Sequence, residues 1–113
     1  MKRLFIALIV LTLSVAPSFA LSDAEYLYMK KTDPEYARAD QRLTRIWNEL
    51  KQSMPTGAFN ELKKEQLAWI RHGRDEDAEI YLERDYSRVE AYTMATEARS
   101  EYLNDILKTY RFE

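Results

Sequence analysis

The sequence predicts an all-α fold, and three observations lead to that prediction. Beyond its first twenty residues the chain holds one valine and four isoleucines, so residues that favour strands are scarce. Ala, Leu, Glu, Lys and Arg dominate instead, and all five are good helix formers. Apolar residues recur every three or four positions along three stretches, which is the period of an amphipathic helix. We therefore expect a helical hairpin or three-helix bundle with a short N-terminal helix.

Residues 1–20 have the features of a signal peptide. Two basic residues precede an apolar run over 4–15, and Ser18-Phe19-Ala20 places small residues where signal peptidase requires them. An uncleaved anchor is the alternative, but the run has about 12 residues and a spanning helix needs about 20. Lipid attachment through cysteine is excluded because the chain has none. We expect cleavage before Leu21, with residues 21–113 forming one domain in the periplasm or outside the cell.

Capping signals predict where the first two helices of this domain begin. Ser22 and Glu25 have the spacing of a capping box, in which each side chain bonds the other residue's backbone N–H, and this short helix is expected to end near Lys31. Asp33 and Pro34 suit the cap and the first position of the next helix. The apolar stripe of that second helix consists of Tyr36, Leu43, Ile46, Trp47 and Leu50.

Two more amphipathic stretches follow the loop Met54-Pro55-Thr56-Gly57. The apolar positions are Phe59, Leu62, Leu67, Trp69 and Ile70 in one stretch, and Val89, Ala91, Met94, Ala95, Ala98, Tyr102, Leu103, Ile106 and Tyr110 in the other. A turn between them is expected near residues 83–87, the alternative being one unbroken helix. The three alanines allow close approach of a neighbouring helix, expected to be the one that bears Trp69.

Composition excludes several classes of function. A chain without cysteine has no disulfide framework and no thiolate chemistry, and two glycines leave no phosphate-binding loop. The single histidine, His72, has no second histidine with which to form a zinc site, and the acidic run at 75–79 lacks the pattern of a calcium loop, so no cofactor is expected. Loss of Lys2 and Arg3 with the leader leaves fifteen basic against nineteen acidic residues, a net charge of -4 that offers nucleic acid no attraction. Small bundled helices also offer little room for the paired carboxylates of a glycosidase, so we do not expect an enzyme.

Two segments resemble the LprI-type lysozyme inhibitor family of small exported bacterial domains. Asp40 to Leu50 is similar to the pattern Asp-x-x-Leu-Asn-x-x-Tyr-x-x-Leu, with Thr44 in place of Asn and Trp47 in place of Tyr. The segment from Gln66 onward resembles Gln-x-x-Trp followed by Arg-Asp, and a weaker likeness to Thr-x-x-Arg comes later in the chain. The motif positions are Asp40, Leu43, Trp47, Gln66, Trp69, Arg74, Asp75, Thr96 and Arg99.

The chain departs from the resemblance at one pair of positions. Ala78 and Ala91 stand where the family typically has two cysteines that look like a disulfide between helices. Such a bridge contributes roughly 3 kcal/mol in the chain-entropy model. We expect the contact face formed by Ala91, Ala95 and Ala98 to compensate.

The resemblance implies an exported protein that binds a peptidoglycan-cleaving lysozyme and occludes its cleft. Arg71, His72 and Arg74 are the candidate contacts with that partner, although surface exposure is the default reading for His72. The alternatives are an immunity module against another toxin that targets the cell wall, or a structural envelope protein. After cleavage no membrane contact is expected, and the oligomeric state stays open.

The motif residues also have a structural reading. Both tryptophans lie on apolar stripes, which favours burial in the core over a binding surface. Asp40, Arg74, Asp75 and Arg99 are expected to join neighbouring helices through carboxylate–guanidinium hydrogen bonds.

Overall fold

The computed structural model describes residues 20–111, which form three long helical rods and one short helix. The elements are α1 Asp23–Thr32, α2 Pro34–Ser53, α3 Thr56–Ala68, a π-helical turn Trp69–Gly73, α4 Arg74–Leu82 and α5 Arg88–Arg111. The backbone stays right-handed helical through the π-helical turn, so α3, the turn and α4 make one continuous rod. The predicted three-helix bundle with a short N-terminal helix is confirmed. Residues 1–19 of the predicted signal peptide lie outside the described range.

The predicted caps begin α1 and α2. The Ser22 Oγ accepts the Glu25 N–H at 3.1 Å, and Asp33 Oδ1 accepts the Tyr36 N–H at 2.8 Å. The second hydrogen bond of the predicted capping box, from the Ser22 N–H to the Glu25 carboxylate, is replaced. The Glu25 carboxylate binds the Arg88 guanidinium on α5 instead. A charge-assisted pair of this kind is stronger than a neutral hydrogen bond to a backbone N–H.

A turn over 83–87 separates α4 from α5, so the alternative of one unbroken helix is wrong. Asp85 has a φ of 68°, in the left-handed region that Asp tolerates better than most residues. Ser87 and Glu90 then form a complete capping box, with the Ser87 N–H donating to Glu90 at 3.0 Å and the Glu90 N–H donating to Ser87 Oγ at 3.2 Å.

The apolar core consists of two clusters at opposite ends of the rods. The upper cluster contains Leu21, Met29, Tyr36, Ala78, Ala91, Tyr92 and Ala95. The lower cluster contains Ile46, Leu50, Phe59, Leu62, Leu103 and Leu107. Asp40, Gln66, Arg74 and Arg99 lie between these clusters along the rods, whereas Leu43 and Trp47 pack against the lower cluster.

Two details of the predicted core are wrong. Ala91 and Ala95 are fully buried, but Ala98 is exposed, and α5 packs mainly on α2 and α4 rather than on the segment that bears Trp69. Leu67 and Ile70 are 44% and 42% exposed, because the buried stripe runs through Gln66 and Trp69, one position away on the helix. Within the described residues, no helix has the length and hydropathy needed to cross a membrane.

Candidate functional site

Six of the nine motif positions line a single cleft of about 330 Å³ between α1, α2 and the rod that carries the π-helical turn. The residues lining this motif cleft are Asp23, Tyr26, Asp40, Leu43, Thr44, Trp47, Gln66, Trp69, Ile70 and Arg74. Half of these residues are aromatic or aliphatic, and the other half bring polar or charged groups to the same cleft. Apolar surface combined with converging polar groups is a feature of ligand pockets.

The π-helical turn is organised around the indole of Trp69. The ring is 6% exposed, and its Nε1–H donates to Asp77 Oδ2 at 3.0 Å. Gly73 lies directly against the ring, since a Cβ at this position would be 2.9 Å from Trp69 Cδ1. Single π-helical turns inside α-helices are frequent at functional sites. The absence of a Cβ at Gly73 thus lets the indole pack directly against the turn.

Arg74 follows the turn and places its guanidinium in the cleft. The side chain is half-buried, with its guanidinium carbon 5.7 Å from the Tyr26 ring centre and 5.9 Å from that of Trp69. Its Nε–H is buried and donates to no group of residues 20–111, and no carboxylate of that range forms an ion pair with the side chain. The expected lock between Arg74 and a neighbouring carboxylate is therefore not formed.

The nearby carboxylates bind other groups instead. Asp40 accepts the Tyr26 hydroxyl at 3.0 Å from each carboxylate oxygen and lies 3.4 Å from the Lys30 ammonium. Burial, followed by the charge of Asp40, raises the pKa of the Tyr26 hydroxyl, so this donor stays protonated at neutral pH. Asp75 Oδ1 accepts the Leu21 N–H at 3.0 Å and the Tyr92 hydroxyl at 2.5 Å. Each carboxylate thus joins neighbouring segments without using Arg74.

Arg99 approaches Trp69 from α5. Its Nε donates to Gln66 Oε1 at 2.8 Å, and its guanidinium carbon lies 5.6 Å from the Trp69 ring centre. Thr96, one turn earlier, is buried and donates to the Tyr92 carbonyl at 2.7 Å. The Arg99 Nη2 also donates to the Glu65 carboxylate at 3.3 Å, so the expected bond between Arg99 and a carboxylate of a neighbouring helix forms with Glu65 rather than with Asp40 or Asp75.

Arg71 and His72 lie on the outside of the π-helical turn, and both are exposed. Leu67 and Ile70 are exposed beside them along the same rod, which puts two apolar and two basic side chains close together in sequence. We call these four residues the turn surface. The apolar stripe predicted from the sequence included Leu67 and Ile70, whereas the buried stripe runs through Gln66 and Trp69 beside them.

The described residues hold no arrangement suited to catalysis by a metal. No three acidic or histidine side chains within residues 20–111 are grouped so that they would hold an ion. The geometry instead offers an aromatic cleft with one unpaired cation, next to an exposed surface. Both features are suited to binding.

Ala78 and Ala91, the positions where the family typically has cysteines, are fully buried in the upper cluster. They lie on α4 and α5, which pack against each other. Their placement is therefore compatible with a bridge between these two helices in relatives that carry the cysteines.

Comparison with known proteins identifies the family. The model of the family described as lysozyme inhibitor LprI matches residues 23–111, which includes every motif position and every helix of the bundle. No curated protein and no solved structure matches the chain. On its length and its position, the family match shows that this chain belongs to the LprI family of lysozyme inhibitors.

Proposed function

We propose that the protein binds a peptidoglycan-cleaving lysozyme outside the cytoplasm and inhibits it by covering the enzyme's cleft. Membership of the LprI family supports the class of partner. The observation that carries the choice of surface is the exposure of Leu67, Ile70, Arg71 and His72 around the π-helical turn that contains the buried Trp69.

The turn surface has the composition of a binding hot spot. Two aliphatic side chains, each more than two-fifths exposed, supply apolar area that a partner would remove from water. Arg71 is among the residue types that carry most of the energy at protein interfaces. Packing of the Trp69 indole against Gly73 would restrict the turn, and a restricted turn loses little conformational entropy when a partner binds.

Charge favours the same arrangement. The catalytic groups of most glycosidases are a pair of carboxylates, and Arg71 and His72 bring hydrogen-bond donors that suit them. Removal of the leader would leave a net charge of -4, which would steer the protein toward cationic lysozymes. Arg74, the third candidate contact, is set back in the motif cleft, so only a group that enters the cleft reaches it.

Inhibition by occlusion requires no catalytic residue in the protein itself. Export is part of the proposal, since peptidoglycan and the enzymes that cleave it are outside the cytoplasm. Cleavage after Ala20 would release residues 21–113 into the periplasm or beyond it.

The direct test is muramidase turnover with exported, purified protein at equimolar and tenfold excess over several lysozyme types. We expect inhibition of at least one type. The double variant Arg71→Ala/His72→Ala should weaken inhibition about tenfold or more, equivalent to about 1.4 kcal/mol of binding free energy. Arg38→Ala removes an exposed arginine from α2 and serves as the matched control. Unchanged turnover of every lysozyme, or equal inhibition by both variants, would contradict the proposal.

A further inference from the structure

The motif cleft holds a guanidinium that forms no ion pair with any carboxylate of residues 20–111. A half-buried guanidinium without a hydrogen bond is costly, and buried polar groups in native proteins nearly always have a partner. Arg74 is such a group, because its Nε is buried and unpaired within residues 20–111. Asp40, which lines the cleft, and Asp75, which follows Arg74 in the chain, are held by Tyr26, Lys30, Leu21 and Tyr92.

We propose that the motif cleft binds a small organic carboxylate, whose oxygens accept hydrogen bonds from Arg74. Guanidinium groups match the planar geometry of carboxylates. Asp23 and Asp40 also line the cleft, and their charges favour a singly charged ligand over a doubly charged phosphate.

The residues that line the cleft indicate the chemistry of the rest of the ligand, beyond its carboxylate. Leu43, Trp47, Trp69 and Ile70 surround the cleft with apolar surface. A volume of about 330 Å³ is at the lower end of the range for small-molecule sites. The ligand is therefore a compact apolar acid or the C-terminal residue of a short peptide, which share the carboxylate and the apolar body.

Tryptophan fluorescence reports ligand binding in this cleft, because the chain has two tryptophans, Trp47 and Trp69, and both line the cleft. The exported, purified protein is titrated with cyclohexanecarboxylate and with the neutral cyclohexanecarboxamide. A second pair, N-acetylleucine and N-acetylleucinamide, tests a peptide C-terminus. We expect saturation by at least one of the acids with a Kd below about 1 mM, and at least tenfold weaker binding of its amide. The pair that binds identifies the source of the carboxylate.

Variants then test the role of Arg74. Arg74→Met should weaken binding of the acid at least tenfold, and Arg38→Met, a matched change at an exposed position of α2 outside the cleft, should leave it unchanged. Because Arg74 has no ion-pair partner in the described residues, Arg74→Met should not lower the Tm. The comparison of acid with amide needs no variant and decides the proposal even if Arg74→Met fails to fold. Absence of saturation by both acids, equal binding of the amides, or undiminished binding by Arg74→Met would overturn it.

A second inference comes from a separate observation at Leu21, the residue at which the mature chain is expected to begin. Leu21 is 8% exposed and packs in the upper cluster, and its backbone N–H donates to Asp75 Oδ1 at 3.0 Å. Asp75 also accepts the Tyr92 hydroxyl of α5. The backbone N–H at the predicted cleavage point thus donates directly to the carboxylate of a motif residue.

We infer that removal of the leader converts this hydrogen bond into an ion pair. Hydrolysis of the Ala20–Leu21 peptide bond by signal peptidase adds one water, leaving a carboxylate on Ala20 and an α-ammonium on Leu21. An α-amino group has an ordinary pKa of about 7.7–8.0, so it is charged at neutral pH. Asp75 then holds the new N-terminus against α4 by charge as well as by hydrogen bonding.

The test begins with the intact mass of the exported protein, which should correspond to a chain that starts at Leu21. A variant with one extra glycine before Leu21 keeps the N–H but moves the charge away from Asp75. We expect this variant to have a Tm lower by about 4–8 °C, the shift that corresponds to roughly 1 kcal/mol. The same extra glycine should have no effect in the Asp75→Asn background. A different first residue, an unchanged Tm, or an equal loss in the Asp75→Asn background would overturn the inference.

Discussion

Replacing Gly73 by alanine tests whether the packing of Trp69 fixes the π-helical turn. The added Cβ would be 2.9 Å from Trp69 Cδ1 and 3.5 Å from Cγ, so the buried indole must shift. Overpacking of this kind costs about 1–3 kcal/mol, and alanine recovers about 0.5–1 kcal/mol of helix propensity relative to glycine. We expect a net loss of about 1–2 kcal/mol in the free energy of unfolding, measured by urea denaturation followed by circular dichroism.

Gly57→Ala is the matched control, because nothing lies within 4 Å of a Cβ at Gly57. The same chemical change in the exposed first turn of α3 should stabilise the protein by up to about 1 kcal/mol. The two variants should therefore shift the urea midpoint in opposite directions. If Gly73→Ala stabilises the protein as Gly57→Ala does, the indole does not constrain the turn and the reasoning fails.

Three further predictions concern the core. The double variant Ala78→Cys/Ala91→Cys should form a disulfide on oxidation and gain about 3 kcal/mol in the free energy of unfolding. A reductant should abolish this gain. Thiols that stay free after oxidation would show that the two side chains are too far apart for a disulfide. Burial raises the pKa of the Tyr36 and Tyr92 hydroxyls, so these groups ionise at lower pH in the unfolded chain than in the folded protein. The urea midpoint should therefore fall as the pH rises above 10. A urea midpoint that stays constant between pH 9 and 11.5 would contradict this prediction. Leu103→Ala, at a fully buried position of the lower cluster, should lose about 2–5 kcal/mol, and a loss below 1 kcal/mol by calorimetry would mean that this cluster is not close-packed.

The helices and their starts could be predicted from the sequence because these signals are local. Ser22 and Asp33 cap α1 and α2 through residues three positions away, so a short window of sequence contains the whole interaction. The box formed by Ser87 and Glu90 was equally readable and would have located the start of α5. Glu25 shows the limit of such reasoning, since its partner is 63 residues away.

The π-helical turn could not be predicted, because it depends on tertiary packing. Trp69 and Gly73 have the ordinary spacing of one helical turn, and nothing in that spacing signals an extra residue. The apolar stripe predicted for this segment included Ile70, which is 42% exposed in the structure.

The motif cleft was only partly predictable. The resemblance identified Asp40, Gln66, Trp69 and Arg74, but gave no reason for them to surround one cleft. That arrangement arises because α1, α2 and the rod with the π-helical turn meet between two apolar clusters. Within residues 20–111 the buried Nε of Arg74 has no hydrogen-bond partner, which is contrary to the usual expectation for a buried polar atom and could not be predicted from the sequence pattern.

The most direct test of the central claim is hydrogen–deuterium exchange of the exported protein with and without a lysozyme whose turnover it inhibits. The account predicts that slowed exchange in the complex is centred on residues 67–73, the part of the rod that carries the turn surface. Protection confined to α5, or none at any amide, would contradict the claim that the π-helical turn presents the inhibitory surface.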